Sequence, residues 1–157
     1  MVLENVIAKN IEFNTPLWIA SIHLRKAFDR IQYGPLLQTL REQNIPDPYV
    51  ALMSELYRDQ WGYVRGGSYF QIQRGVKQGD VISPMLFNAG LEKAMRSWKQ
   101  RLTNHGILVS ANSPRLTNTR YADDIMLYGK SLSEVQTMIS WLIEELQIVG
   151  LQVNTSK

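Results

Sequence analysis

With 157 residues, 45% hydrophobic and 20% charged, the chain is long enough for one domain with a real core and too short for two comfortable ones. That balance excludes a disordered tail, and apolar runs that break within a few residues exclude a helical membrane span. A formal net charge of +3 and a pI near 9.2 are compatible with a polyanionic partner, while the lack of cysteine excludes a disulfide, a thiolate zinc site and a thiol nucleophile.

The first residues, Met1-Val2-Leu3-Glu4-Asn5, have no basic segment leading into an apolar one, so no secretory signal is expected. An intracellular home fits, with nucleus and cytoplasm undistinguished. Leu3, Val6, Ile7 and Ile11 predict a short amphipathic helix over 2–13, ended by Thr15-Pro16. Leu17 to Ile22 reads as a buried strand that delivers position 23 to its end. Gly34-Pro35 opens a helix carrying Leu36, Leu37 and Leu40; after Pro46 and Pro48 a second one carries Tyr49, Val50, Met53, Leu56 and Tyr57. These two are expected to cover one face of the sheet.

Trp61–Val64 and Tyr69–Ile72 flank Gly66-Gly67, which signals a two-stranded hairpin. Ser83-Pro84 predicts a helix start with Ser83 as N-cap, and Leu86, Phe87, Leu91, Met95 and Trp98 then fall on its inward face. Asn112-Ser113-Pro114 reads as a loop. Ser131 and Glu134 predict a capping box for a helix carrying Val135, Met138, Ile139, Leu142, Ile143, Leu146 and Val149, with Gly150 ending it. Leu151-Gln152-Val153-Asn154 alternates as a last strand. This order is α+β, with helices on one face of an antiparallel sheet.

Between the loop and that last helix lies Tyr121-Ala122-Asp123-Asp124, two adjacent carboxylates between strand-like segments. A strand-turn-strand reading lifts both acids to a hairpin tip. Neighbouring acids repel, so holding both ionised favours a hard cation or a basic partner there. A bare Asp-Asp turn in solvent is the plainer reading, but the apolar segment Ile125–Gly129 that follows favours function.

The tetrad resembles the signature of reverse transcriptases, and this chain carries counterparts of that family's other palm motifs in order. Ser21-Ile22-His23-Leu24-Arg25-Lys26-Ala27-Phe28-Asp29 is similar to the first, and Gly75-Val76-Lys77-Gln78-Gly79-Asp80-Val81-Ile82-Ser83-Pro84 to the second. Gly150-Leu151-Gln152-Val153-Asn154-Thr155-Ser156-Lys157 is similar to the fourth. The wording is closest to non-LTR (LINE-type) retrotransposon enzymes. The resemblance implies a polymerase palm and RNA-directed DNA synthesis by two-metal nucleotidyl transfer. Template-primer of RNA or DNA, deoxynucleoside triphosphates and two Mg2+ ions, or Mn2+, would be its partners, with no membrane and with the oligomeric state open.

Carried over residue by residue, the resemblance makes Asp123 and Asp124 metal ligands and turns the Leu24 carbonyl towards a metal. Phe28 becomes the steric gate against a 2′-hydroxyl, with a core aromatic as the competing reading. Lys77, Gln78, Gly79 and Tyr121 fall at substrate-binding positions, although Gly79 equally suits a turn. Lys157 matches a proposed proton donor to pyrophosphate. Arg25, Lys26, Arg30, Arg74, Lys77 and Arg120 flank the motifs, where phosphate contacts need charge; a solvated rim is the plainer alternative. The match covers a palm, so the chain is expected to be a fragment lacking most of the fingers, the thumb and the endonuclease.

One position departs from the pattern. His23 stands where the family has its first catalytic aspartate, six residues before Asp29. Imidazole is a neutral, single-point ligand poorly suited to magnesium. Asp29 cannot substitute, because six residues of strand span roughly 20 Å. A satisfied histidine at a strand end is the favoured reading, which predicts an impaired polymerase; the alternative is an inactive palm remnant or a domesticated module that binds nucleic acid or protein.

Overall fold

The structure, a computed structural model, describes residues 2–110, 113–121 and 123–154. Its elements in chain order are α1 (Val2–Glu12), β1 (Trp18–His23), α2 (Ala27–Arg30), α3 (Tyr33–Glu42), α4 (Asp47–Tyr57), β2 (Trp61–Tyr63), β3 (Tyr69–Gln71), α5 (Ser83–Arg101), β4 (Asn118–Tyr121), β5 (Asp124–Gly129) and α6 (Leu132–Ile148). The predicted α+β class holds. β1, β5 and β4 form one antiparallel sheet in that order, and β2 pairs with β3 in a separate hairpin.

Strand β5 is the middle of the larger sheet, and its alternation explains both layers. Ile125 and Leu127 face the main core with Met138, Leu142 and Leu146 of α6, all fully buried. Tyr128 points to the opposite face, where it joins Val6 of α1 and Ile107, and its hydroxyl bonds Thr119 at 2.8 Å. Behind α6 lies α5, which delivers Leu86, Phe87, Leu91, Met95 and Trp98 inward as its pattern predicts. Trp98 is completely buried and donates its indole N–H to the Met138 carbonyl at 2.9 Å, which ties the two helices together.

Several local expectations are corrected. Helices α3 and α4 pack on each other, and α3 on α5, while the helix against the sheet is α6. Strand β1 is mostly accessible: of its residues only Ile22 is buried, because one edge and part of one face stay open. Ile82, not Ser83, is the N-cap of α5; Ser83 falls in the first turn with its hydroxyl buried and without a hydrogen-bond partner among the described residues. The capping box of α6 is only half formed. Ser131 Oγ accepts from Glu134 N at 3.2 Å, but the Glu134 carboxylate turns to the amides of Lys130 and Gly106. The expected last strand is a single bridge between Leu24 and Val153.

Candidate active site

The register of the sheet builds the site. Antiparallel pairing of β1 with β5 sets His23 opposite Asp124, and pairing of β4 with β5 sets Tyr121 opposite the same residue. Directly opposed residues bring their Cβ atoms within about 4.5–5.5 Å, close enough for short side chains to meet. His23 Nδ1 lies 2.5 Å from Asp124 Oδ1, and His23 Nε2 lies 3.2 Å from the hydroxyl of Ser21. An N–H on Nδ1 donates to the carboxylate while Nε2 accepts from Ser21, so both ring nitrogens are satisfied. Ser21 opens the first-motif stretch with no role of its own in the sequence pattern, yet it is two residues before His23 and therefore on the same side of the strand.

The main chain at position 23 is held from the other side. Asn154 N donates to the His23 carbonyl and Arg25 N to the Gln152 carbonyl, each at 2.8 Å, and the Leu24 carbonyl is not consumed by this bridge. The tetrad reading put both acids at the tip; the structure puts Asp123 in the turn, half-buried, and Asp124 in the ladder as the first residue of β5. Tyr121 is highly exposed. Ala122 of the tetrad and Lys157 lie outside the described residues.

Whether these donors fit a pair of divalent ions is a matter of their chemistry. Among the described residues no three His, Cys, Asp or Glu side chains converge on one point. One of the acids already faces an imidazole across the sheet. This donor set does not fit a two-ion centre, which needs several hard, bridging carboxylate oxygens.

The remaining motif residues gather beside the sheet. Phe28 on α2 is half-buried and stacks on Phe87, with ring centroids 4.9 Å apart. The second motif is laced to α2 by Gly75 N to the Ile31 carbonyl (2.8 Å) and Val76 N to the Phe28 carbonyl (2.7 Å). A cleft of about 760 Å³ follows, lined in part by Lys26, Asp29, Phe70, Arg74, Lys77 and Gln78. Asp29 therefore belongs to this cleft and is not in the β1–β5 register. Gly79 lies in an exposed turn at φ +91° with open space where a side chain would go, so backbone conformation alone calls for glycine.

Of the flanking cations, Arg25, Lys26, Arg74 and Lys77 are exposed and without an ion pair among the described residues. Arg120 differs. Its guanidinium donates to Glu92 at 2.8 Å, and Glu92 also takes Arg96 at 3.0 Å, so Arg120 is engaged in an ion pair within the fold. Burial works to raise the Glu92 carboxyl, but the hydrogen bonds and charges of Arg120 and Arg96 outweigh it and hold the group below the ordinary glutamate value.

Comparison with known proteins adds three findings. Residues 5–157 match the family described as "Reverse transcriptase (RNA-dependent DNA polymerase)". Among curated relatives, the Pol polyprotein of the type-2 retrotransposable element R2DM of Drosophila melanogaster is 30% identical over 145 residues, covering 89% of this chain and 13% of that protein. The corresponding R2 polyprotein of Nasonia vitripennis is 28% identical, covering 90% of this chain and 14% of its own length. This chain thus spans only a small part of the relatives it matches. Among solved structures, telomerase from Candida albicans, in complex with a telomeric RNA fragment, superposes with a TM-score of 0.71 at 14% identity over 99% of this chain and 28% of that one. The likeness is one of fold, a polymerase palm.

Proposed function

This chain belongs to the reverse transcriptase (RNA-dependent DNA polymerase) family, in its non-LTR, LINE-type branch, and from that premise we propose that it is a single palm unit whose nucleotidyl-transfer centre is disabled at position 23. Family members use divalent metal ions, and the palm supplies the acidic oxygens that hold them. Here the carboxylate of the first motif is replaced by an imidazole, which removes a negative charge and a bridging ligand together. The observation that carries this reading is the 2.5 Å contact of His23 with Asp124: the replacement both fails to supply an acid and engages one of the acids that remain.

In the same reading Asp123 is the acid left without a partner among the described residues, and Leu24, Phe28, Lys77, Gln78, Gly79 and Tyr121 line the path of nucleotide and template. Lys157 would act at the pyrophosphate. RNA or DNA template-primer and deoxynucleotides are the substrates this palm is shaped for, and Mg2+ or Mn2+ the ions it would need once a carboxylate stood at position 23.

Manganese-induced water relaxation tests the proposal on this chain, on His23→Asp and on His23→Asp/Asp123→Asn. Enhancement is expected for His23→Asp alone. Ordinary magnesium-dependent primer extension by the unaltered chain, or equal manganese binding by all three, overturns it.

A further inference from the structure

Helix α4 carries more apolar surface than its packing uses. Val50 and Tyr57 are buried, and the Tyr57 ring stacks on Tyr33 of α3, the helix that α4 packs against. Tyr49, Leu52 and Leu56 form a second stripe at i, i+3 and i+7 that faces water, 61%, 60% and 48% exposed, with half-buried Met53 on its inner border. The stripe runs into an apolar cavity of about 430 Å³, which opens between Ile45 and Tyr49 on one side and Met85 and Leu86 of α5 on the other. Ile45 and Met85 are themselves 39% and 68% exposed. These five exposed side chains offer on the order of 500 Å² per copy, so two copies face to face remove on the order of 1,000 Å² from water, the area at which specific interfaces begin.

The stripe reads the same from either end. Tyr49, Leu52, Met53 and Leu56 follow one another at steps of three, one and three residues, so a two-fold axis between Leu52 and Met53 sets Tyr49 opposite Leu56 of an antiparallel second copy, and Leu52 opposite its Met53. The charges at the helix ends agree with that direction. Asp47 begins α4 and Arg58 caps its end, equally far in sequence from the axis, so antiparallel copies bring unlike charges and opposite helix-dipole ends together, where parallel copies bring like ones. Their partners within the chain, Arg41 for Asp47 at 3.6 Å and Glu55 for Arg58 at 3.0 Å, form exposed pairs that leave both charges accessible. The cavity completes the match. It lies beside Tyr49, where the same axis delivers Leu56 of the second copy, so each chain carries both knob and socket, as a contact that closes on two copies requires.

We propose that the outer stripe of α4 is a homodimer surface: a second copy of this chain packs on it antiparallel, about a two-fold axis at Leu52 and Met53, with Leu56 of each copy set against the cavity beside Tyr49 of the other. The contact shares no residue with the β1–β5 site and does not depend on position 23. An interface of this size is weak, with dissociation constants on the order of 10 μM, so the dimer forms and separates with concentration.

Sedimentation velocity from about 1 to about 300 μM tests it on this chain, on Leu52→Lys, on Leu52→Glu and on an equal mixture of those two variants. Leu52 is exposed, so a charge there leaves the core untouched, and it lies next to the axis, where it meets its own counterpart. Each variant alone is expected to dimerise at least about thirtyfold more weakly than the unaltered chain, because like charges meet at the axis. The mixture is expected to associate within about threefold of the unaltered chain, because the axis then joins unlike charges. Ile11→Lys, at a 74% exposed position on α1, is expected to change nothing. Circular dichroism matching that of the unaltered chain confirms that the variants are folded. A monomer over the whole range, dimerisation untouched by either Leu52 variant, a mixture no better than its components, or an equal loss in Ile11→Lys overturns the proposal.

Discussion

His23 Nδ1 and Asp124 Oδ1 meet at 2.5 Å across an antiparallel strand pair in which the two residues are direct partners. The contact is a consequence of register, and both side chains remain well exposed, at 38% and 52%. An exposed pair of this kind is worth only about 0.2–1 kcal/mol, because solvent screens it and fixing two side chains costs entropy. His23→Ala is therefore expected to shift the thermal midpoint by no more than about 4 °C. A larger loss in a circular-dichroism melt would mean that the histidine is structural.

Two glycines of the second motif separate conformation from contact. Gly79 has φ +91° and open space, so Gly79→Ala should cost about 1–2 kcal/mol from the left-handed backbone alone. Gly75 has φ +92° and also abuts the Asp29 backbone, where a Cβ would come within 2.9 Å. Gly75→Ala should cost more, about 2–5 kcal/mol, and should loosen α2 from the second motif. Urea titrations of the two variants side by side check the order.

Much of this was legible in the sequence. Hydrophobic periodicity located α5 and α6 and their inward residues, and Gly66-Gly67 located the hairpin. What periodicity cannot say is which partner a buried face meets, and so α3 and α4 were expected on the sheet when they lie among the helices. The tetrad shows a turn but not the residue at which pairing resumes. Because β5 resumes at Asp124, that acid joins the ladder opposite His23, a contact that strand register alone determines. Ser83 illustrates the same limit at a helix end: with Ile82 already in helical conformation, the cap moves by one residue and the hydroxyl is buried instead of bonded.

Acid should weaken the tie between α5 and β4. The Glu92 carboxyl is held below its ordinary value by Arg120 and Arg96 against the opposing effect of burial, so its contribution is present above the ordinary glutamate range and is lost as pH falls through the lower, folded value. Glu92→Gln should therefore differ from the unaltered chain in thermal midpoint near neutral pH. That difference should vanish in acid, as melts over a pH series would show.

Alkali acts on a different pair. Tyr33 and Tyr57 stack at 4.9 Å with both hydroxyls buried and without a hydrogen-bond partner among the described residues; nearby Ser83 acts to lower the Tyr57 phenol against the larger effect of burial. Burial, the larger influence, raises both phenols, so the stability they provide is intact below the ordinary phenol value of about 10 and is lost as pH rises through the folded value. Tyr57→Phe removes a hydroxyl that has no hydrogen-bond partner among the described residues. At neutral pH it should leave stability unchanged or raise it by about 1 kcal/mol, and it should shrink the alkaline loss.

The main chain around position 23 is fixed by bonds that ignore its side chain: the ladder to β5 on one side and Asn154 N on the other. Histidine and aspartate codons differ only in their first base. A scaffold that holds the backbone in place whichever residue it carries leaves the histidine and aspartate forms of this position a single nucleotide apart, so that either can replace the other without rebuilding the strand around it.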